Sequence, residues 1–294
     1  MIVKKNIKPK VAVLLAAYNG EEWIGEQIRT IFNQVDVDIT VFISVDLSTD
    51  DTYELCIRLS ELDKRVVVLR YGTCFGGAGK NFYRLIREVD FSSYDYVSLA
   101  DQDDVWFENK LISAISIIRE KSVNGYSSNV LAFWLDGREQ LIIKSQPQKQ
   151  FDFLFEAGGP GCTYVLTKNS FEKFKNFLIN ESSAENFKLH DWLIYAFYRV
   201  HNLGWFIDNI PYMRYRQHEK NQVGFNKGFK AYVSRFEQVK DRRFREEVLK
   251  LLTLLGLPIG FRFNRMFLIL NFNKLRRRRR DILILLGFNI LGWF

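Results

Sequence analysis

The sequence predicts an α/β protein built on a mostly parallel sheet with helices on both faces. Short apolar, β-branched runs alternate with stretches of helical apolar spacing three times before a fourth run. Such alternation is what β-α-β crossovers leave in a sequence. The runs also end, one after another, in Tyr18-Asn19, in Asp46, in a glycine-rich loop at 72–79 and in Asp101-Gln102-Asp103-Asp104. Ligands of open sheets bind at the carboxyl ends of the strands, so four polar loops are expected to converge on one edge.

The elements follow in order. Residues 11–16 are uninterrupted apolar and read as a buried first strand, broken by Gly20. Ile24, Ile28, Ile31 and Phe32 then recur at helical spacing over residues 21–33. Residues 39–45 form a β-branched strand ending at Asp46. Ser48 and Asp51 have the spacing of a capping box. The helix they open is expected to place Leu55, Leu59 and Leu62 on one side. A third strand at 65–70 leads through the glycine loop to a helix with Phe82, Leu85, Ile86 and Val89, and residues 96–100 form the fourth strand. Beyond it, residues 110–121 are helical with Leu111, Ala114, Ile115 and Ile118 on one side, and residues 130–135 form a strand. Gly158-Gly159-Pro160-Gly161 is a turn leading into the apolar run 162–166. Residues 189–198 are helical from His190-Asp191-Trp192, and residues 207–215 run into Arg216-Gln217-His218.

The chain has 294 residues, enough for one large domain or two small ones. Its 15% aromatic content suits contact with sugars or a membrane interface. Three cysteines, Cys56, Cys74 and Cys162, match no metal or redox spacing, and a reducing cytoplasm is the expected setting. The net charge of +8 is unevenly placed: from residue 227 onward 16 Lys/Arg face 5 Asp/Glu, whereas residues 1–226 carry 26 against 29. We therefore expect a body at 1–226, with a donor half at about 1–104 and an acceptor half at about 105–226, and a basic amphipathic helical tail at 227–294. The apolar run near the N-terminus is only seven residues and passes into a helix pattern, which reads as a buried strand rather than an export signal. No apolar run reaches the ~18 residues that span a bilayer.

The tail contains a run of five consecutive arginines, Arg276 through Arg280, followed by a fourteen-residue, strongly apolar segment ending Trp293-Phe294. That combination can lie in a membrane interface with its arginines on anionic headgroups. Packing on the body is the competing reading. A nucleic-acid arm is disfavoured, because the flanks are aliphatic rather than a basic and aromatic groove.

Two phosphate-binding motifs are excluded. The first turn has only Gly20 where a dinucleotide fold needs Gly-x-Gly-x-x-Gly. The loop ending Gly79-Lys80 has Cys74 and Asn81 where a P-loop needs glycine and Ser or Thr. Its backbone N–H groups and Lys80 can still approach a phosphate. Asp101 and Asp103 can approach one hard cation from the same side, sharing it with phosphate oxygens. Solvated acids at a strand end are the plainer alternative.

Seven pieces, in order over residues 10–222, resemble glycosyltransferase family 2 of the GT-A fold. They are Ala16-Ala17-Tyr18-Asn19-Gly20, Val45-Asp46-Leu47-Ser48-Thr49-Asp50-Asp51-Thr52, Gly79-Lys80-Asn81-Phe82, Ala100-Asp101-Gln102-Asp103-Asp104-Val105-Trp106, Gly159-Pro160-Gly161-Cys162-Thr163, His190-Asp191-Trp192 and Tyr215-Arg216-Gln217-His218. The finer pattern is similar to bacterial rhamnosyltransferases of surface polysaccharide synthesis.

The resemblance implies that Ala16, Tyr18, Asn19, Lys80, Asn81, Asp101 and Gln102 line a nucleotide-sugar pocket. Asp46 would meet the base, or simply be an acid at a helix start. The family often has two acids here, and Val45 leaves the choice of uracil or thymine open. Asp103 would ligate Mg2+ or Mn2+ on the diphosphate, and His218 would be a further ligand or a phosphate contact, with Arg216 beside it at phosphate. Asp191 would be the general base of an inverting transfer, its alternative being an acid favoured by a helix dipole. Gly161, Cys162, His190 and Trp192 would line the acceptor side. The expected protein is then a cytoplasmic, metal-dependent enzyme, peripheral at the inner face of a membrane. It would move L-rhamnose from dTDP-rhamnose to a lipid-linked glycan, with no nucleic-acid partner. UDP-hexose donors, or a non-catalytic nucleotide-sugar-binding protein of the same fold, are the alternatives.

Overall fold

The computed structural model describes residues 7–218, 243–257 and 265–290. The expected boundary at 226, and Pro258, Arg262, Asn264, Trp293 and Phe294 of the tail, lie outside the described residues.

The first strand, β1 (Lys10–Ala17), is central and buried on both faces. It pairs in parallel with β2 (Asp38–Val45) on one side and with β4 (Tyr96–Asp101) on the other, and β3 (Val66–Val68) extends the sheet beyond β2. Because side chains alternate along a strand, β1 feeds two cores. Val11, Val13, Leu15 and Ala17 pack with Ile24, Ile28 and Ile31 of α1 (Ile24–Phe32) and with Leu111, Ala114 and Ile115 of α4 (Lys110–Glu120). Ala12, Leu14 and Ala16 face the opposite core. Its helices are α3 (Ala78–Glu88), α5 (Lys168–Asn180) and α6 (His190–Val200), contributing Phe82, Leu85, Phe171, Phe174, Leu193 and Ala196. Each fully buried Val or Leu contributes about 1.5–3 kcal/mol.

The sheet continues past β4 through strands that sequence reading left unassigned. It has seven strands, in the order β10 (Trp205–Asp208), β6 (Gly125–Ser128), β9 (Val165–Thr167), β4, β1, β2, β3. Only β9 runs antiparallel to its neighbours. A second, four-stranded sheet orders β5 (Val105–Trp106), β11 (Met213–Arg216), β7 (Val130–Phe133) and β8 (Glu139–Ile142). Its contribution to the site is β11, which carries Arg216 back to the acidic loop after β4.

Several local expectations are corrected. In α2 (Thr52–Leu62), Leu55 and Leu59 pack against the core whereas Leu62, the last residue, is 84% exposed. No Ser48–Asp51 capping box forms there; Asp50 instead accepts from the backbone N–H of Thr52 at 3.2 Å. α5 was readable from the spacing of Phe171, Phe174 and Leu178.

The tail contains α7 (Arg243–Leu254), α8 (Arg265–Leu270) and α9 (Arg279–Ile290). The expectation that the arginine run lies wholly on headgroups is corrected for three of its five members. Arg276 donates to the carbonyl of Phe155 and Arg278 to that of Ile143. Arg277 is buried, donates to Ala157 at 2.7 Å, and pairs with Asp152 and Glu156 at 3.3 Å each. Buried carboxylates need a countercharge, and the tail supplies it.

Candidate active site

Three strand ends meet beside the acidic loop. Ala16 lies in register between Ser44 of β2 and Asp101 of β4. Tyr18 is 51% exposed, and its backbone is clasped by Gln102: the amide oxygen accepts from Tyr18 N at 2.8 Å and the amide nitrogen donates to Tyr18 O at 2.8 Å. Gln102 therefore fixes the loop that presents the tyrosine ring, and both ends of its amide are occupied. Gly20 is glycine for the same reason, since a Cβ there would sit 2.1 Å from the Gln102 amide oxygen.

Asn19 and Asn81 likewise hold backbone. The Asn19 carboxamide oxygen accepts from Thr49 N at 2.8 Å, joining the first two loops. The buried Asn81 amide donates to Ser44 O at 2.9 Å and to Ala17 O at 3.3 Å, tying β1 to β2 where both strands end. Asp46 is buried and accepts from Leu47, Phe75 and Gly76 N–H groups at 2.8, 2.7 and 3.1 Å. It pins the glycine loop. Lys80, in the first turn of α3, is exposed.

The acids sort by depth. The Asp103 carboxylate meets His218 Nε2 at 2.6 Å, and the His218 ring stacks on Trp23 with centroids 4.1 Å apart. Arg216 corrects its expected phosphate role. Its Nε donates to the Asp103 carbonyl at 2.8 Å and its far nitrogen pairs with Glu26, so it braces the acidic loop from behind. Asp104, unassigned from sequence, is 1% exposed, and its carboxylate faces the Cys162 thiol and the Arg216 backbone N–H. Among the described residues, Asp101, Asp104 and the buried Cys162 bring their ligand-type atoms within 4.8 Å of one another. Cys162 thus faces the donor-side acids rather than flooring an acceptor site. Burial, then the charges of Asp103 and Asp191, push Asp101 up; burial and the neighbouring acids raise Asp104. Beneath them Lys110, 2% exposed, lies with Nζ 3.6 Å over the Trp106 ring, and burial lowers it to about 7.

Asp191 stands in the first turn of α6, with Trp192 N donating to its carboxylate at 2.8 Å. Burial raises it to about 6, against the opposing pull of that N–H and of the Lys144 charge. Lys144 itself is lowered to about 8 by burial and by the charges of Arg278 and Arg277. His190 stacks on Phe82 at 4.0 Å, and burial lowers it to about 3, so it is neutral; its Nε2 is buried without a partner. Gly161 allows this packing, since a Cβ would lie 2.8 Å from His190 Nε2 and 3.2 Å from the Asp191 Cβ. Trp192 is corrected: it is 4% exposed and donates from Nε1 to Phe153 O at 2.7 Å, inside the core rather than at the acceptor.

The Asp103 carboxylate and the His218 imidazole, 2.6 Å apart, offer donors that suit Mg2+ or Mn2+, and diphosphate oxygens and water would complete its shell. The donor set fits such a cation.

The family model for glycosyl transferase family 2 matches residues 12–159. The dTDP-rhamnosyl transferase RfbG of Shigella flexneri is 46% identical over 290 residues, covering 95% of this chain and all of that protein. The Escherichia coli UDP-Glc:alpha-D-GlcNAc-diphosphoundecaprenol beta-1,3-glucosyltransferase WfaP is 24% identical, over 65% of this chain and 77% of its own. Among solved structures, residues 1–349 of S. aureus TarS superpose with TM-score 0.55 at 16% identity, over 97% of this chain and 80% of that one. The Pyrobaculum calidifontis mannosyltransferase PcManGT, in complex with GDP-Man and Mn2+, gives 0.54 at 15% identity, over 98% and 81%. With the alternating core, the asparagine-tied strand ends and the half-buried carboxylate at α6 already in place, these matches settle the family: the chain is a glycosyltransferase and belongs to glycosyl transferase family 2.

Proposed function

We propose that the enzyme transfers L-rhamnose from dTDP-rhamnose to a hydroxyl of a lipid-linked glycan in bacterial surface polysaccharide synthesis. It would invert the anomeric carbon and use Mg2+ or Mn2+, as a peripheral protein at the inner face of the cytoplasmic membrane. The observation that carries the reading is the 46% identity to the dTDP-rhamnosyl transferase RfbG along that protein's whole length. The diphosphoundecaprenol acceptor in the name of WfaP supports a lipid-linked acceptor. No described helix is long and apolar enough to cross a membrane.

The chemistry assigns one proton acceptor. Asp191 takes the proton of the acceptor hydroxyl as its oxygen forms a bond to the anomeric carbon and the bond from that carbon to the diphosphate breaks. A carboxyl at about 6 is ionised at neutral pH yet basic enough for that task. The exposed Tyr18 ring is available to the base. Asp103 and His218 would hold the cation, which neutralises charge developing on the departing diphosphate.

A thermal-shift screen of nucleotide sugars with Mn2+ tests the donor, because a bound ligand stabilises the folded state. dTDP-rhamnose should raise the midpoint most. A larger shift with UDP-glucose would move the assignment to a UDP-hexose donor, and binding without turnover on lipid-linked acceptors would make the protein a nucleotide-sugar binder.

A further inference from the structure

The run of five arginines is divided in its use. Arg276, Arg277 and Arg278 turn inward and hold residues 143–157. Lys274, Arg279 and Arg280 are exposed, with Arg280 Nε 3.4 Å from Asp281. That acid is itself only 19% exposed and also lies 3.6 Å from Arg276, so little negative charge reaches the surface there.

Beside these cations the helices show large apolar side chains to solvent. On α8, Leu268 is buried while Met266 is 61%, Ile269 43% and Leu270 70% exposed. Phe272, in the turn that follows, is 40% exposed. On α9, Ile282 and Leu285 are buried while Leu283 is 65% and Ile284 41% exposed. On α8 the exposed positions follow helical spacing and form an outward apolar stripe, and on α9 Leu283 and Ile284 add an outward apolar pair between the buried Ile282 and Leu285. α8 and α9 also pack against each other. Single exposed hydrophobes are ordinary, but a cluster confined to residues 266–284 and flanked by cations marks a docking surface.

We propose that this face of α8 and α9 is where the protein sits on an anionic bilayer. Met266, Ile269, Leu270, Phe272, Leu283 and Ile284 enter the headgroup and acyl boundary, while Lys274 and Arg279, with Arg280, meet headgroup phosphates. The charge decides the occupant. Cations on the rim suit anionic lipid, whereas a polyanion such as nucleic acid has no use for the aliphatic stripe. The inference deepens the proposed lipid-linked acceptor and rests on it. It also links the membrane to the chemistry: the segment that docks is the one whose Arg276–Arg278 grip the wall behind Phe153, and Phe153 O receives the Trp192 indole next to Asp191.

The test is co-sedimentation of the full chain with phosphatidylglycerol-containing vesicles and with pure phosphatidylcholine vesicles. The wild type should pellet with the first and largely not with the second. Leu270→Ser with Leu283→Ser should weaken vesicle binding by roughly tenfold or more, and Arg279→Glu with Arg280→Glu should remove the anionic-lipid preference. Both variants change exposed side chains and should keep the wild-type circular dichroism and the wild-type rate on a water-soluble acceptor glycoside. Unchanged vesicle partition in both variants would overturn the proposal, as would a wild-type dimer that the serine variant converts to monomer, which would make the face a contact between copies. If the wild type binds vesicles but transfers to no acceptor, the functional reading fails while the docking face stands.

Discussion

Asp103 Oδ2 and His218 Nε2 lie 2.6 Å apart although 115 residues separate them in the chain. The contact is held on three sides. Trp23 stacks under the imidazole, β11 delivers the histidine, and Arg216 grips the Asp103 carbonyl at 2.8 Å. An oxygen and a nitrogen donor are thus pre-assembled before any donor substrate arrives. Asp103→Ala should abolish Mn2+-dependent stabilisation by dTDP in thermal shift, and His218→Ala should weaken apparent metal affinity by roughly 10–100-fold. Equal transfer by the wild type with and without chelator would remove the metal role.

Transfer should fall on the acid side as Asp191 gains a proton, with an apparent pKa of about 6 in kcat/KM. The Lys144 charge holds that value down, so Lys144→Met should move the limb to higher pH. An unshifted limb would mean that another group is titrating. Asp191→Asn should reduce transfer by roughly 10²–10⁴-fold. The fold should not suffer. The carboxyl rises from 3.8 to about 6 in the folded state, so the folded chain holds the extra proton between those values. Its contribution to stability therefore falls as pH rises through that window. At pH 8 the asparagine variant should melt no lower than wild type, separating lost chemistry from lost structure.

Gly161→Ala places a methyl group 2.8 Å from His190 Nε2 and 3.2 Å from the Asp191 Cβ. Neither neighbour can retreat easily, because His190 is stacked on Phe82 and Asp191 is fixed by the Trp192 N–H. The overpacking should destabilise by about 1–3 kcal/mol. It should also lower kcat more than donor affinity, since the glycine borders Asp191, the proposed base. Urea denaturation and donor titration would separate the two effects, and wild-type kcat would show that the Asp191 position tolerates the shift.

What was legible in the sequence is what local pattern encodes. The alternation of Val11, Val13 and Leu15 against Ala12 and Leu14 sorts into two cores as a period of two requires. The strand ends named the loops that would meet. Sequence could not say which side chains would hold those loops and which would remain for ligand. Gln102, Asn19, Asn81 and Arg216 are the residue types a nucleotide site uses, and the structure gives each of them to protein partners. The grouping of Asp104 and Cys162 above Lys110 depends on the antiparallel strand β9 and the turn before it. Neither carries a periodic signal. The arginine run was legible as charge but not as direction, because acids at Asp152 and Glu156, far away in sequence, decide which members turn inward.

That division makes Arg277 a residue of stability rather than of surface charge. Its guanidinium lies 3.3 Å from Asp152 and from Glu156, and 2.7 Å from Ala157 O. Asp152 is fully buried and keeps a second partner in Arg199 at 2.6 Å, with the Tyr195 hydroxyl at 3.1 Å. Removing one partner of a buried pair typically costs about 3–5 kcal/mol, and the surviving Arg199 contact puts Arg277→Met at the lower end. Its urea midpoint should drop accordingly, whereas Arg279→Met, at an exposed position, should change stability by less than about 0.5 kcal/mol. Equal midpoints for the two variants would mean that the tail does not brace residues 152–157.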